Sequence, residues 1–481
     1  MIKMKKYIYF ILFLSFLSCD DWLTIVPKAE ITEEQLFEEE AGYRSALYGL
    51  YVQLGQTSLY GRNLTMGFTD VLAQYYAIPS ESYAYYKTSI YDYEDQETKR
   101  YIGEIWSSAY NVVANINNLL QHLEGHETGF FTEPRAYNIM RGESLGLRAM
   151  LHFDLLRLFA PAAPNAKAIP YVDVLVKTPF PQLTVQQTID RCLKDLQEAS
   201  DLLYEVDPIS PFFPTWTEIS PVNAGQDSYI NDGGFIYLRR ERMNYLAVRA
   251  LMARINLYAG NRAEAQRLAG ECVNSGRANL STSYTAVANN VFSIFVEKLP
   301  QISDSLFSTV VPINQCLVVP VERKQAYYET SIYGSVDSRI ANYFQYYPGT
   351  SSEFLAKFRI TRQTIPPSYA TVPLITSAEV RLIYSETADT EADKFAHLNT
   401  VRNSYGLSAS YNLSADKNDY EQELFKEYRK RFVGEGQLFY FMKRKNYQSI
   451  PYAGTSVSID RIFSLLEYLP TAEYEYGLIN K

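Results

Sequence analysis

Apolar positions recur at helical spacing through most of the first 280 residues. Leu36, Tyr43, Leu47, Leu50, Tyr51 and Leu54 form one stripe, entered through Thr32, which pairs with Gln35 three positions on as a capping box. Trp106, Tyr110, Val113, Ile116, Leu120 and Leu123 predict a second helix over 106–123, and a third runs over 136–159. Thr184 starts a fourth that reaches Tyr204. Two proline-rich stretches interrupt the pattern, 161–181 with five prolines and 208–221 with four, and each predicts irregular surface chain.

A fifth helix over 245–259 meets Gly260-Asn261-Arg262 and then a further helix over 263–273. Small residues at Ala247, Ala250 and Ala253, a tyrosine at 258 and an Ala-rich partner make a tetratricopeptide-like hairpin. Gly142 to Phe159 has the packing face of another such helix, without a strict period. Helix pairs of this kind bury their faces only by stacking. After about Asn279 the period fades, and Val/Ile/Tyr-rich runs over 309–313 and 316–321 predict strands or extended loops. Helical pattern returns over 378–403 and 419–432. The expected fold is mainly α: degenerate tetratricopeptide-like hairpins form a scaffold, with an irregular, loop-rich and short-strand half packed on it.

Hydrophobic residues make up 47% of the 481 positions and charged residues 21%, enough to bury a large core. The formal charge is −9 and there is no basic run beyond the N-terminus, which argues against a nucleic-acid partner. Tyrosine is abundant, at 41 residues. It combines a flat apolar face with a hydrogen-bonding tip, which suits a soluble recognition surface.

Lys3, Lys5 and Lys6 precede an apolar run from Tyr7 to Leu17, too short to span a bilayer and shaped like a secretory signal. The run ends Phe16-Leu17-Ser18-Cys19, which resembles a bacterial lipobox. That resemblance implies cleavage before Cys19 and lipidation of its thiol and amino group, an anchor strong enough for durable membrane attachment. Removing three lysines takes the formal charge from −9 to −12. Cys192, Cys272 and Cys316 remain, an odd number with no close pair, so a disulfide framework is not expected. Cys192 and Cys272 fall in helical pattern and read as small buried residues.

Four segments in order carry a wider resemblance. The N-terminus leads into Trp22-Leu-Thr-Ile-Val-Pro27; Trp106-Ser-Ser-Ala-Tyr110 leads to Asn115-Ile-Asn117; Arg141-Gly-Glu-Ser-Leu-Gly-Leu-Arg-Ala149 leads to Leu155. The last block holds Glu379 to Glu386, Leu398 to Gly406, Glu427 to Gly436 and Lys443-Arg444. The whole chain resembles the SusD/RagB family of Bacteroidetes surface lipoproteins. The resemblance implies a protein on the outer face of the outer membrane that caps a SusC-like TonB-dependent transporter and holds an oligosaccharide for import. Asp20-Asp21 resembles this group's surface-export signal. Relatives that import peptides make a peptide or protein ligand the alternative. The implied organisation is a signal peptide over 1–18, lipidated Cys19 and tether over 19–31, an N-terminal helical part over 32–278 and a C-terminal part over 279–481.

Read as residues, Arg148, Glu386, Arg402, Glu427 and Glu435 are expected to form buried ion pairs that lock helices together. Catalytic constellations are weak. Gly142-Glu-Ser144-Leu-Gly146 satisfies G-x-S-x-G, with Asp389, Asp393 and His397 downstream, but a nucleophile elbow needs a strand before its serine and 136–159 is helical throughout. His122, His126, His152 and His397 include no H-E-x-x-H. The cluster Asp416, Asn418, Asp419 and Glu421 lacks the glycine of an EF-hand loop. A glycosidase needs two carboxylates at a set separation, which sequence cannot test among 54 candidates; the resemblance, which implies binding without hydrolysis, decides against an enzyme, and no metal or cofactor beyond the lipid is expected.

For ligand contact the segment from Gln74 to Tyr93 stands out, with seven tyrosines among Ser, Glu, Asp and Pro. Sugar rings present C–H faces that stack on aromatic planes, while their hydroxyls need polar partners. Tyr75, Tyr76, Tyr83, Tyr85 and Tyr86 are the expected ligand-binding rings, exposed on a loop. Trp216 in the second proline-rich stretch, and Tyr343, Tyr346 and Tyr347 before Pro348-Gly349, are further candidates.

Overall fold

The computed structural model describes residues 32–215, 235–236, 238–281, 289–359, 370–454 and 456–479. Residues up to Tyr43 form one unit and Arg44–Lys481 a second. Cys19 and Trp216 lie outside the described residues. The helices of eight residues or more are α1 Glu40–Leu54, α2 Gln96–Leu123, α3 Ala136–Phe159, α4 Val185–Tyr204, α5 Tyr245–Tyr258, α6 Arg262–Asn274, α7 Leu299–Phe307, α8 Val321–Tyr328, α9 Ser377–Thr387, α10 Glu391–Ser404, α11 Tyr420–Arg431 and α12 Gln437–Arg444. Among the described residues no helix is long and apolar enough to cross a membrane.

The scaffold is a stack in which α2 packs on α3, α3 on α4, α4 on α5, α5 on α6, α6 on α9 and α9 on α10. Antiparallel hairpins of this kind share one continuous core, as the alanine-rich α5 and α6 faces anticipate. Helix α3 lies inside it, with nearly every residue buried, as expected where apolar residues surround a helix on all sides. The two glycines of the G-x-S-x-G run explain themselves here. A Cβ on Gly142 would stand 2.7 Å from Leu203 Cγ on α4, and one on Gly146 would stand 2.6 Å from Met243 Cγ. The motif allows close approach to α3; it makes no strand-to-helix elbow.

Local differences from the sequence reading have local causes. The first stripe is split, a single turn Glu33–Leu36 closed by the Thr32–Gln35 capping box and then α1. Helix α2 begins ten residues before Trp106, because Asp95 accepts the Glu97 and Thr98 amides while Thr98, Tyr101 and Ile102 already bury one face. The pattern over 378–403 is two helices; Thr390 caps the second by accepting the Asp393 amide. The segment 161–181 is not wholly irregular, since β1 (Lys167–Pro170) pairs antiparallel with β2 (Gln182–Thr184).

The later half is corrected more substantially. Residues 309–313 form no strand, and 316–321 contribute only β4 (Val319–Pro320) before α8 begins. Short helices α7 and α8 fill much of what had no readable period, because each buries a few side chains too close together to repeat. The strands β5 (Phe344–Tyr346) and β6 (Ser352–Leu355) join β4 in the order β4-β6-β5, and β3 (Asn290–Phe295) pairs antiparallel with β7 (Thr371–Thr376).

The expected buried ions are in place with one exception. Arg148 grips Asp195 with two bonds of 2.7 and 2.8 Å. Glu386 meets Arg444 and Lys445, and Glu427 meets Arg339. Glu435 meets Arg431 and Lys357. Arg402 is the correction: it donates to the Tyr411 carbonyl at 2.8 Å and to Asn399, and lies over the Tyr333 ring. A helix-end carbonyl and an aromatic face satisfy it in place of a carboxylate. Cys192, Cys272 and Cys316 are all buried and free.

Candidate functional site

The tyrosine segment is a strap with its rings mostly turned inward. It leaves the short helix Phe68–Leu72 and turns at Gln74, where φ is +60°. The bridge between Ala77 and Val318 then fixes it alongside β4. It closes through Tyr91, also at positive φ, into α2. Gln74 and Tyr91 adopt the left-handed region at some cost, and buried partners hold them there. The Gln74 amide donates to the Ser89 carbonyl at 2.7 Å, and the Tyr91 hydroxyl to the Leu72 carbonyl at 2.9 Å.

Tyr75, Tyr76 and Tyr85 are buried, at 1, 3 and 2% exposure, and this corrects the expectation of free stacking platforms at those three positions. Each phenol has an internal partner: Tyr75 donates to the Arg429 carbonyl at 2.9 Å, Tyr76 to Asp70 at 3.2 Å and Tyr85 to Asn63 at 3.4 Å. The Tyr85 ring stacks on Tyr101 at 4.9 Å. Burial raises all three phenols above their ordinary pKa, so they stay neutral donors. A tyrosine can finish its polar tip on a backbone carbonyl and bury the rest, and composition cannot separate that from an exposed ring.

Tyr83 and Tyr86 remain half-buried. Tyr83 meets the edge of Tyr85 at 5.9 Å, and the Tyr86 hydroxyl donates to Glu81 at 3.0 Å. Across the bridge, the β4-β6-β5 sheet carries the other candidates. Tyr343 is buried, but Tyr346 is 52% exposed and Tyr347 half-buried. The Tyr347 hydroxyl donates to the Val311 carbonyl at 2.9 Å, and that of Tyr346 to the Thr350 carbonyl, which fixes both rings across the turn. Beside them Arg359 donates to Gln345, and both are exposed polar groups. Backbone pairing thus links Tyr83 and Tyr86 to Tyr346 and Tyr347 through Ala77, Val318 and β6.

Sequence reasoning did not single out Arg323, Arg429 or Tyr452. Tyr452 is 47% exposed, at positive φ in a Pro/Gly turn, and an aromatic among Gln448, Ser449, Pro451 and Gly454 was the available signal. It lies under the Arg323 guanidinium at 4.4 Å and against Tyr327 at 5.8 Å.

Catalytic groupings do not assemble. Ser144 is buried in the middle of α3, and its hydroxyl has no partner. Its neighbour Glu143 accepts from Tyr51 at 2.6 Å, Arg239 at 2.5 Å and Arg242 at 3.0 Å, a structural role. His152 accepts the Val172 amide at Nε2, so Nδ1 carries the proton and donates to the Arg148 carbonyl. Burial lowers its pKa to about 4. Among the described residues no group of three His, Cys, Asp or Glu side chains is placed to hold a metal ion.

Residues 21–211 match a family model, SusD-like, described as starch-binding and associating with the outer membrane. A SusD-like protein of Formosa agariphila is 25% identical over 209 residues, which are 42% of this chain and 38% of that protein's length. Solved structures extend the likeness to the remainder. The chain is similar to the SusD-like family over residues 21–211 and shares the fold of SusD superfamily structures over most of its length. A SusD superfamily protein of Bacteroides thetaiotaomicron is matched over 87% of this chain and 91% of that one, with TM-score 0.67 and 19% identity. A SusD-like carbohydrate-binding protein of Bacteroides vulgatus is matched over 85% and 83%, with TM-score 0.62 and 17% identity. At such identities the structures share the SusD fold, and the mainly α scaffold of stacked hairpins is that fold.

Proposed function

We propose that this SusD-like chain is a cell-surface glycan-binding lipoprotein that captures oligosaccharides and passes them to a SusC-like TonB-dependent transporter in the outer membrane. The observation that carries the reading is a set of half-buried and exposed rings, Tyr83, Tyr86, Tyr346 and Tyr347, on segments joined by backbone pairing, with Gln345 and Arg359 beside Tyr346. The family description and the carbohydrate-binding neighbour support a sugar as ligand. A ring fixed in place loses little entropy on binding, and its face meets the C–H face of a pyranose while amide and guanidinium groups receive hydroxyls. Lipidation at Cys19 would confine capture to the transporter mouth, where local concentration compensates for modest affinity. Binding without turnover is the expected activity.

Calorimetric titration of the purified chain against a panel of glycans and peptides tests this, followed by chromatography of any glycan that binds. Saturable glycan binding with no cleavage products is expected. Binding confined to peptides would replace the sugar reading with the peptide-importer one, and released fragments would make the protein a glycosidase. Mass spectrometry of the mature N-terminus checks the anchor: an acylated Cys19 is expected, and an unmodified thiol would remove the tether from the account.

A further inference from the structure

Two arginines on adjoining helices are held by rings and not by carboxylates. Helices α8 and α11 pack together, and their lysines are neutralised. Lys324 meets Glu353, Lys426 meets Glu329 and Glu423, and Lys430 meets Glu329. Elsewhere Arg148, Arg239, Arg254, Arg339, Arg431 and Arg444 each hold a carboxylate, while the buried Arg277 and Arg402 donate to backbone carbonyls. Arg323 on α8 and Arg429 on α11 meet no carboxylate among the described residues. Arg323 donates to the Gln74 carbonyl at 3.5 Å and to the Tyr327 hydroxyl, and lies over the exposed Tyr452 ring at 4.4 Å. Arg429 lies over Tyr327 at 4.4 Å and against Phe425 at 5.1 Å, and its Nε is buried without a partner.

A guanidinium stacked on a ring has its faces covered and keeps its in-plane N–H groups for an acceptor. Those edges match the paired oxygens of an oxyanion, which they bind by charge-assisted bonds. Position connects the pair to the proposed ring set: α8 starts where β4 ends, and Gln74 lies three residues before the bridging Ala77.

We propose that Arg323 and Arg429, with Tyr452 as the adjoining ring, form an anion subsite that receives the carboxylate or sulfate ester of an acidic oligosaccharide. The inference rests on the glycan-binding reading and narrows it to charged saccharides. The terminal N–H edges of Arg323 and Arg429 supply the donors, and Tyr452 stacks on the sugar that bears the charge.

The test is calorimetry with three probe pairs: a galacturonic acid oligomer and its methyl ester, a sulfated galactose oligomer and its desulfated form, and an Asp/Glu-rich peptide and its amidated form. Wild type is expected to bind one acidic saccharide at least tenfold more tightly than its neutral counterpart. That preference should shrink as salt is raised and disappear in R323Q. R429Q is the second variant, and circular dichroism shows whether losing its ring contacts has disturbed folding. Whichever saccharide pair shows the preference identifies carboxylate or sulfate as the group. Equal affinity within both saccharide pairs, or a preference that survives in R323Q, overturns the subsite and leaves glycan binding standing. Discrimination seen only with the peptide pair overturns the saccharide assignment. Failure to bind any saccharide, charged or neutral, overturns both.

Discussion

Glu143 shows how single residues hold this structure. It accepts from one phenol and two guanidinium groups and is fully buried, so removing it leaves Arg242 without a carboxylate and takes from Arg239 one of its two, Asp207 remaining. Glu143→Ala is expected to cost about 3–5 kcal/mol, read as a lower urea midpoint. Ser144→Ala, one position on, removes a buried hydroxyl with no partner and is expected to change stability by no more than about 1 kcal/mol. It should also leave ligand binding intact, and a lost hydrolytic turnover in that variant would revive the nucleophile reading. His152 offers a pH test. Its folded pKa of about 4 lies below the ordinary 6.5, so the unfolded chain takes up the proton first, and stability falls as pH drops from 6.5 towards 4. Its ring resonances should show no titration near 6.5; a midpoint there would contradict the buried tautomer. The ionic residues were legible at this scale because most buried charges need partners. The tyrosine strap was not, since Tyr76 and Tyr83 look alike until the Tyr76–Asp70 bond and the Ala77–Val318 bridge are known.

Helices of the scaffold were readable where one face repeats over several turns, as in α2 and α4. Breaks and extensions depended on single caps, Asp95 and Thr390, and on tertiary burial of a first turn. The later half resisted reading because its elements are shorter than the period that would reveal them, and β4, β5 and β6 pair across intervening chain. Close helix contact is the vulnerable feature of the stack. Gly142→Val places side-chain atoms where Leu203 already sits, and overpacking of this kind costs about 1–3 kcal/mol. A lowered thermal midpoint with unchanged helix content would show it, and an unchanged midpoint would mean that α3 and α4 have room to separate.

Across the whole molecule, tyrosine sets the alkaline limit. Burial, reinforced in several cases by a nearby carboxylate, raises the phenols of Tyr51, Tyr60, Tyr75, Tyr76, Tyr93 and Tyr110 well above 10. An unfolded chain releases those protons near pH 10 while the folded one keeps them, so this contribution is complete below pH 10 and lost as pH rises beyond it. Tyrosinate absorbance should show a late step that coincides with loss of helix; gradual ionisation of all 41 tyrosines with the helices intact would contradict the burial pattern. The same division into inward and outward rings defines the functional claim. The most direct measurement is calorimetric titration of a glycan that wild type binds into Y83A/Y346A and, separately, into Y76F. Removing the two outward rings is expected to weaken binding at least tenfold, about 1.4 kcal/mol, while Y76F, which keeps its ring, binds as wild type does. Undiminished binding by Y83A/Y346A would contradict the account.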